Sequence, residues 1–570
     1  MEKMNPFKRL LKLLNADKRD ISQIYIYSFF IGLLNLILPL GIQAIVNFIQ
    51  AGEYSTSWII LVFIVVLSIL LAGVMQIFQL RITENLQQKI FIRSSFEFAY
   101  RIPRFDLTAI RNYYAPELVN RFFDTMTIQK GLPKLLIDFS TAALQLFFGL
   151  ILLSIYHPFF IIFSIFLLLS LVIMLYITSK KGLSTSIEES KYKYKVAYWL
   201  EELARTMNTF KLAGKSSIPL DKTNQLVESY LKERENHFKV IYSQFLQLIG
   251  FKTIIALFLL LIGGFLVINQ QINIGQFIAA ELIILLVINS VEKIILNLEN
   301  LYDVLTAIDK IGHVTDIPLE NEGGKLVCEN DSNQLQIDIK HLSFQFPSQN
   351  VPVFENFNLS IAPGQHTAIL GDDGAGKTTL LHLIGNLFPV TEGSISFNKI
   401  PSVDLNLEYL RTVIGDYVSE QQLFMGTIEE NISMKNPSIT MQDLIWACEK
   451  VHLLDYIQSS KNGFSTLIDP NGRRFSRSIT QKIILARCII GKPKLLLMDD
   501  QQRFTSSSMK DVNYLSELLF DTNSSWTLIA ATKNEQWLSH FKQIVKLEQG
   551  KIIFCGTYSE YQNYLKNLKS

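Results

Sequence analysis

The sequence predicts two unlike parts: an α-helical membrane domain of six spans over residues 1–315, then an α/β phosphate-loop domain over 330–570. Three observations carry this prediction. The chain is 49% hydrophobic yet 18% charged, too apolar for an ordinary soluble protein and too charged to lie wholly in a membrane. Apolar stretches of about 20 residues, long enough to cross ~30 Å of hydrocarbon, are confined to the first half. In the second half, a strand-like run leads into a glycine-rich turn and then into helix-forming residues.

The apolar stretches lie near 23–46, 57–79, 136–156, 158–178, 245–268 and 275–297, which makes six. Lys and Arg are absent from 47–56, 157 and 269–274. They crowd the long segments after the second stretch (Arg81, Lys89, Arg93, Arg101, Arg104, Arg111, Arg121) and after the fourth (Lys180, Lys181, Lys191, Lys193, Lys195). By the positive-inside rule both termini are cytosolic, so an integral protein of the cell (inner) membrane with six spans is expected.

The first residues (Pro6, Phe7, Lys8, Arg9, Leu10, Leu11, Lys12, Leu13, Leu14) combine basic and apolar side chains as an interfacial helix does. A plain cytosolic lead-in helix fits the same residues. Membrane lipid is therefore an expected partner. Nucleic acid is not, because the net charge is only +2 and no basic arm stands out. All four cysteines (Cys328, Cys448, Cys488, Cys555) fall in the polar second half without metal-ligand spacing, which reads as reduced structural thiols.

In the sixth stretch Glu281, Leu285, Asn289 and Glu292 recur on one helical face, and that stripe is expected to face the bundle interior. It either lines a path for polar cargo or pairs with Lys252 or Lys293.

After a charged connector near 315–335, strand-like alternation marks Leu335–Ile339 and His366–Leu370. The second run opens directly into Gly371, Asp372, Asp373, Gly374, Ala375, Gly376, Lys377, Thr378 and Thr379, a complete GxxxxGK[ST] phosphate loop followed by a helix. By chance the pattern arises in only about one in fifty chains of this length. Its glycines turn backbone N–H groups toward phosphates, Lys377 reaches the β- and γ-phosphates, and Thr378 offers a hydroxyl to Mg²⁺. Downstream, Lys494–Asp499 is an apolar strand ending in a carboxylate that can hold Mg²⁺ through water. ATP and Mg²⁺ are the cofactors this pair of motifs implies.

The order of these features resembles the ABC ATPases. The aromatic Phe346 lies 25 residues before Gly371, and the run Gln421–Ile432 is similar to the LFSGTIxENI stretch of exporter-type domains. In the first half, Ala115–Asp124 resembles the GELVNR-type stretch that forms the first coupling helix of ABC exporters. Asn273–Gln276 adds a narrower likeness to type I secretion exporters. The resemblance covers nearly the whole chain and implies a half-transporter of the type IV exporter architecture, working as a homodimer or heterodimer with a second half-transporter on a substrate not identified by the residues. No Cys/His peptidase segment precedes the first span, so leader-peptide processing is not expected. Six spans set aside a soluble phosphate-loop kinase or GTPase.

Four positions depart from the family pattern. The LSGGQ signature falls on Phe475–Ile479, where Arg477 and Ser478 replace both glycines and should obstruct close approach to a partner's γ-phosphate. Arg477 supplying a cation to that phosphate is the alternative. The Q-loop glutamine position holds Ser419, or Glu420 if the loop is one residue shorter. The catalytic glutamate is Asp500, one methylene shorter, and the H-loop histidine is Lys533. Catalytic roles are thus expected at Asp500 and Lys533, nucleotide contacts at Phe346 and Gly371–Thr379, and metal contacts at Thr378 and Asp499. Two functions follow: a slowly hydrolysing ATP-dependent export subunit, or a hydrolysis-deficient regulatory or channel-like partner of another half.

Overall fold

The computed structural model describes residues 5–52, 56–111, 113–327, 334–347, 349–418, 421–472, 474–499, 515–521 and 526–569. They fall into two compact units, residues 1–104 with 113–318, and residues 105–112 with 319–570.

Among the described residues of the first unit, every regular element is helical. Asn5 accepts a hydrogen bond from the Phe7 N–H (3.1 Å) and Pro6 opens α1 (Pro6–Ala16), the expected chemistry of a helix start. α2 (Lys18–Ala51), α3 (Thr56–Arg101), α4 (Leu107–Ile110), α5 (Ala115–Asn120), α6 (Asp124–Tyr156), α7 (Pro158–Arg205), α8 (Met207–Leu212), α9 (Ile218–Phe258), α10 (Gly264–Ile268) and α11 (Ile274–Thr315) follow, with a π turn at Leu259–Gly263 joining α9 to α10; α4 belongs to the second unit. Among the described residues, six helical spans of 33 to 51 residues are long and apolar enough to cross a membrane. Hydrocarbon offers no partner to a free N–H or C=O, so a helix that satisfies its own backbone is the structure such segments adopt. Even 33 residues extend roughly 50 Å, well beyond a ~30 Å core, so the polar ends of these helices continue outside it.

α11 is the axis of this unit, packing against α6, α2, α7 and α9. Close approach replaces hydrophobic drive here, because lipid tails are as apolar as the helices. A Cβ on Gly41 would come 2.2 Å from Val65, and one on Gly182 of α7 would lie 2.3 Å from the Tyr302 ring of α11. Buried polar groups pair across helices: Gln79 donates to Ser28 Oγ (2.7 Å) and to the Ile24 carbonyl (3.1 Å), and Ser28 lies 2.8 Å from Ser140. The leucines of α1 (Leu10, Leu13, Leu14) pack onto the cluster around Ile24, Leu86 and Ile128, and Arg9 pairs with Asp316, while Phe7 and Leu11 stay exposed. The helix therefore docks on its own chain with part of its apolar face left over.

The polar stripe of α11 departs from expectation. Leu285 and Asn289 are exposed and Glu281 and Glu292 half-buried, while Ile283, Ile284, Val287, Ile288 and Val291 fill the chain's own core. Apolar volume between α11 and its neighbours wins that face, and Glu292 pairs with Lys252 at 2.6 Å.

The second unit holds two main sheets. β1 (Ile337–Phe344), β2 (Phe354–Ile361), β4 (Glu392–Phe397) and β5 (Ile400–Pro401) form an antiparallel sheet in the order β2-β1-β4-β5. β3 (Thr367–Gly371), β6 (Ile414–Tyr417), β9 (Leu495–Asp499), β10 (Thr527–Ala531), β11 (Gln543–Glu548) and β12 (Lys551–Gly556) form the other, ordered β12-β11-β3-β10-β9-β6. The pair β7 (Gly426–Thr427) and β8 (Leu467–Ile468) stands apart. β9 and β10 are buried at every residue, as unbroken apolar parallel strands are. Residues 105–112 join this unit rather than the helical one, with buried Phe105 bridged to Leu319.

Replacing Gly182 by Ala forces Tyr302 aside and disturbs the Gln244-to-Tyr302 hydrogen bond (2.9 Å). Overpacking of this kind costs about 1–3 kcal/mol. A lower thermal unfolding temperature is expected for Gly182→Ala and none for Gly73→Ala, where a Cβ meets nothing within 4 Å. Equal melting of both variants would contradict the α7–α11 approach.

Candidate functional site

Strand order builds the site. β10 lies between β3 and β9, parallel to both, with Ala531 opposite Ile369 on one side and Asp499 on the other. The three strands therefore end at one edge: Gly371 leaves β3, Asp499 closes β9, and Lys533 follows β10 two residues on. Ligands of open α/β sheets bind at this carboxyl edge.

Gly371, Gly374 and Gly376 of the loop leaving β3 all have positive φ, and at two of them a Cβ would also meet its neighbours. Gly376 has φ 98°, and a Cβ there would come 2.9 Å from the Phe354 ring. At Gly371, φ 148°, it would press on the Leu547 carbonyl at 2.4 Å. The Ala375 N–H closes the turn on the Asp372 carbonyl (3.1 Å), and helix α12 (Lys377–Ile384) starts at once, so the first helical N–H groups point into the turn. Lys377, only 5% exposed, donates to the carbonyls of Gly371 (2.8 Å) and Asp372 (2.6 Å). Burial, with the nearby Lys533 charge, pulls its proton affinity below that of an ordinary lysine. Thr378 donates to the Asp499 carboxylate at 2.6 Å, which joins the hydroxyl and the acid that the sequence paired as metal contacts. Thr379 sits half-buried in the first helical turn. This donor set, one hydroxyl, one carboxylate and a cradle of backbone N–H groups beside an ammonium, fits a magnesium-bound phosphate chain.

Lys533 has a partner that spacing along the chain did not reveal. Its ammonium lies 2.9 Å from Asp373, the second acid of the phosphate loop. The hydrogen bond raises the Lys533 pKa and lowers that of Asp373. Both side chains are largely exposed, so the pair adds little to stability. Its consequence is local: the loop's acid and the lysine at the H-loop position neutralise one another.

Phe346 is 9% exposed, with Phe344 and Phe388 packed nearly perpendicular to it at 4.8 and 5.4 Å. The guanidinium of Arg111 lies over its ring, 3.5 Å from the centroid. Sequence reasoning missed that contact, since nothing local links residue 111 to residue 346.

In the signature segment Ser476 caps the helix Arg477–Ile489, accepting from the Ile479 N–H at 3.3 Å, with Arg477 and Ser478 exposed in the first turn. Farther along that helix Arg487 donates to the Asn431 carbonyl (2.6 Å), and Asn431 in turn donates to the carbonyls of Phe424 and Thr427. This brace fixes the exporter-like run Gln421–Ile432 against the helix, and no local pattern of residues announces it. Ser419, Glu420, Asp500 and residues 501–506 lie outside the described residues.

Comparison with known proteins agrees with this architecture. Residues 23–291 match the family described as "ABC transporter transmembrane region", and residues 354–502 match "ABC transporter". Among curated proteins, "ABC transporter B family member 1" of Dictyostelium discoideum is 31% identical over 267 residues, 46% of this chain and 29% of that protein. "Uncharacterized ABC transporter ATP-binding protein YfiB" of Bacillus subtilis (strain 168) is 34% identical over 256 residues, 44% of this chain and 43% of that one. The matches thus span less than half of either relative. Among solved structures, "Structure of a bacterial Atm1-family ABC exporter with ATP bound" superposes with a TM-score of 0.84 over 96% of both chains at 16% identity, which establishes the shared fold. With a transmembrane region and an ATP-binding region matched in the family's order, this chain belongs to the ABC transporters.

Proposed function

We propose that the chain is one half of a dimeric ATP-dependent exporter, binding ATP with Mg²⁺ at its own phosphate loop and hydrolysing it slowly when alone. The observation that carries this reading is the joining, in one polypeptide, of six membrane-length helices to a complete phosphate-loop edge. The solved exporter of the same fold is described with ATP bound, which supports the same ligand here. In this reading Phe346 stacks the adenine, the backbone of Gly371–Thr379 cradles the phosphates, and Lys377 exchanges its two carbonyl partners for the β- and γ-phosphates. Thr378 and Asp499 hold Mg²⁺, which neutralises phosphate charge. Asp500 orients the attacking water and Lys533 faces the γ-phosphate.

Slow turnover follows from residue chemistry. Asp500 is one methylene short, and a misplacement of about 1 Å can cost ~10²-fold in rate. Lys533 offers a charge where the family offers a neutral imidazole. Arg477 and Ser478 carry side chains where a partner's phosphate loop needs bare backbone. Binding is spared, because those positions act on the transition state while the loop, Phe346 and Asp499 meet the ground-state nucleotide. The exposed Arg477 and Ser478 also favour a second reading, a regulatory half in which occupancy alone shifts conformation.

Three results are expected. Lys377→Ala should weaken ATP binding by at least about tenfold, since a buried charge to phosphate is worth roughly 1.5–3 kcal/mol; unchanged affinity would contradict the phosphate-loop assignment. The purified chain should bind ATP with little steady-state hydrolysis, and Asp500→Glu with Lys533→His should restore turnover only when Arg477 and Ser478 are also changed to Gly. A robust rate from the unmodified, partner-free chain would refute the slow-site reading. For orientation, Gly52→Cys and Gln271→Cys should react with an impermeant thiol reagent on intact cells and the exposed Lys215→Cys should not; the reverse pattern would invert the topology and place both termini outside.

A further inference from the structure

We propose that Arg111 is an internal competitor for the face of Phe346 on which the nucleotide base stacks, so that base binding displaces it and frees the Arg111 end of the segment Phe105–Arg111. The inference rests on reading Phe346 as the base platform.

The geometry is that of a stacked ligand already in place. The guanidinium carbon lies 3.5 Å from the ring centroid, the same layer spacing a flat base needs, so both cannot occupy that face together. Arg111 itself is exposed, whereas Phe346 belongs to the buried cluster that includes Phe344, Phe354 and Phe357, with Phe388 packed at its side. The ring is 9% exposed and otherwise enclosed, so a base reaches it by moving the arginine. Among the described residues Arg111 makes no ion pair, and its hold on the ring is the contact to be exchanged.

That exchange is favourable in the right direction. A cation over an aromatic face in contact with water is a weak interaction, because the guanidinium regains full hydration when it leaves. A base stacked on an aromatic face is the stronger of the two and arrives with a phosphate chain bound next door. The contact therefore taxes nucleotide affinity modestly without preventing binding.

Position gives the exchange its consequence. Arg111 is the C-terminal cap of α4 (Leu107–Ile110), whose start is fixed by Asp106 accepting from the Thr108 N–H at 2.7 Å. Phe105 anchors the segment's other end by its bridge to Leu319. With Phe105 held, loss of the Arg111 contact frees the end that runs on in sequence toward α5, the stretch that resembles a coupling helix. Base occupancy is thereby reported to the connection between the second and third membrane helices.

The test compares the non-hydrolysable ATP analogue AMP-PNP with tripolyphosphate, which carries the phosphates without the base, by equilibrium binding to the full chain in lipid nanodiscs with Mg²⁺. Arg111→Ala and Arg111→Gln should tighten AMP-PNP roughly two- to fivefold and leave tripolyphosphate unchanged, because only the base competes with the arginine. Phe346→Ala should weaken AMP-PNP and abolish the effect of Arg111→Ala. In the unmodified chain, trypsin cleavage after Arg111 should accelerate with AMP-PNP but not with tripolyphosphate. If Arg111→Ala leaves AMP-PNP affinity unchanged or weakens it, the arginine is neutral or an ally of the base and the proposal is wrong. If Phe346→Ala leaves AMP-PNP affinity intact, the platform reading itself fails, an outcome the unmodified Phe346 background cannot imitate.

Discussion

The chemistry of this chain turns on one buried ammonium. Lys377 is almost fully enclosed, and a charge taken out of water must find partners. It finds two main-chain carbonyls of its own loop, from Gly371 and Asp372. Carbonyl dipoles are adequate hosts for a cation but weaker than an anion, so in the proposed function the lysine exchanges them for phosphate oxygens. Other features of the edge answer to that charge: helix α12 adds its positive end beside it, Asp499 and Thr378 close the opposite side, and Asp373 and Lys533 cancel one another at the rim.

The membrane unit obeys a different constraint. Hydrocarbon forbids an unsatisfied backbone, which these long apolar segments satisfy as helices, and without a hydrophobic force between them their contacts depend on shape and on paired polar groups. Gly41 and Gly182 supply the shape; Gln79, Ser28 and Ser140 supply the pairing. Glu292 with Lys252 shows the same economy of charge as Lys533 with Asp373, an acid and a base from distant parts of the chain held together at 2.6 and 2.9 Å.

Much of this was legible in the sequence because it is encoded locally. Span length needs only a run of apolar residues, and the phosphate loop needs only its glycines, its lysine and a strand before it. Thr378 and Asp499, each named from its own motif, lie within hydrogen-bonding distance of one another at 2.6 Å. What escaped was set by strand order and long-range packing. Lys533 meets Asp373 because β10 inserts between β3 and β9, an arrangement no spacing rule states. Arg111 over Phe346 and Phe105 against Leu319 join segments more than two hundred residues apart, and neither leaves a periodic trace. On α11 the pairing of Glu292 with Lys252 was among the readings of the stripe and stands at 2.6 Å, whereas helical periodicity finds a face but not which neighbour covers Leu285 and Asn289.

The account stands on the phosphate loop as a nucleotide site, and the most direct test is a cryo-electron microscopy structure of the full chain in lipid nanodiscs with saturating AMP-PNP and Mg²⁺. The account predicts a phosphate chain along Gly374–Thr378, a metal between Thr378 and Asp499, and the Lys377 ammonium about 3 Å from phosphate oxygens instead of the Gly371 and Asp372 carbonyls. A loop without nucleotide under those conditions, or a lysine still on its two carbonyls beside a bound nucleotide, would contradict it.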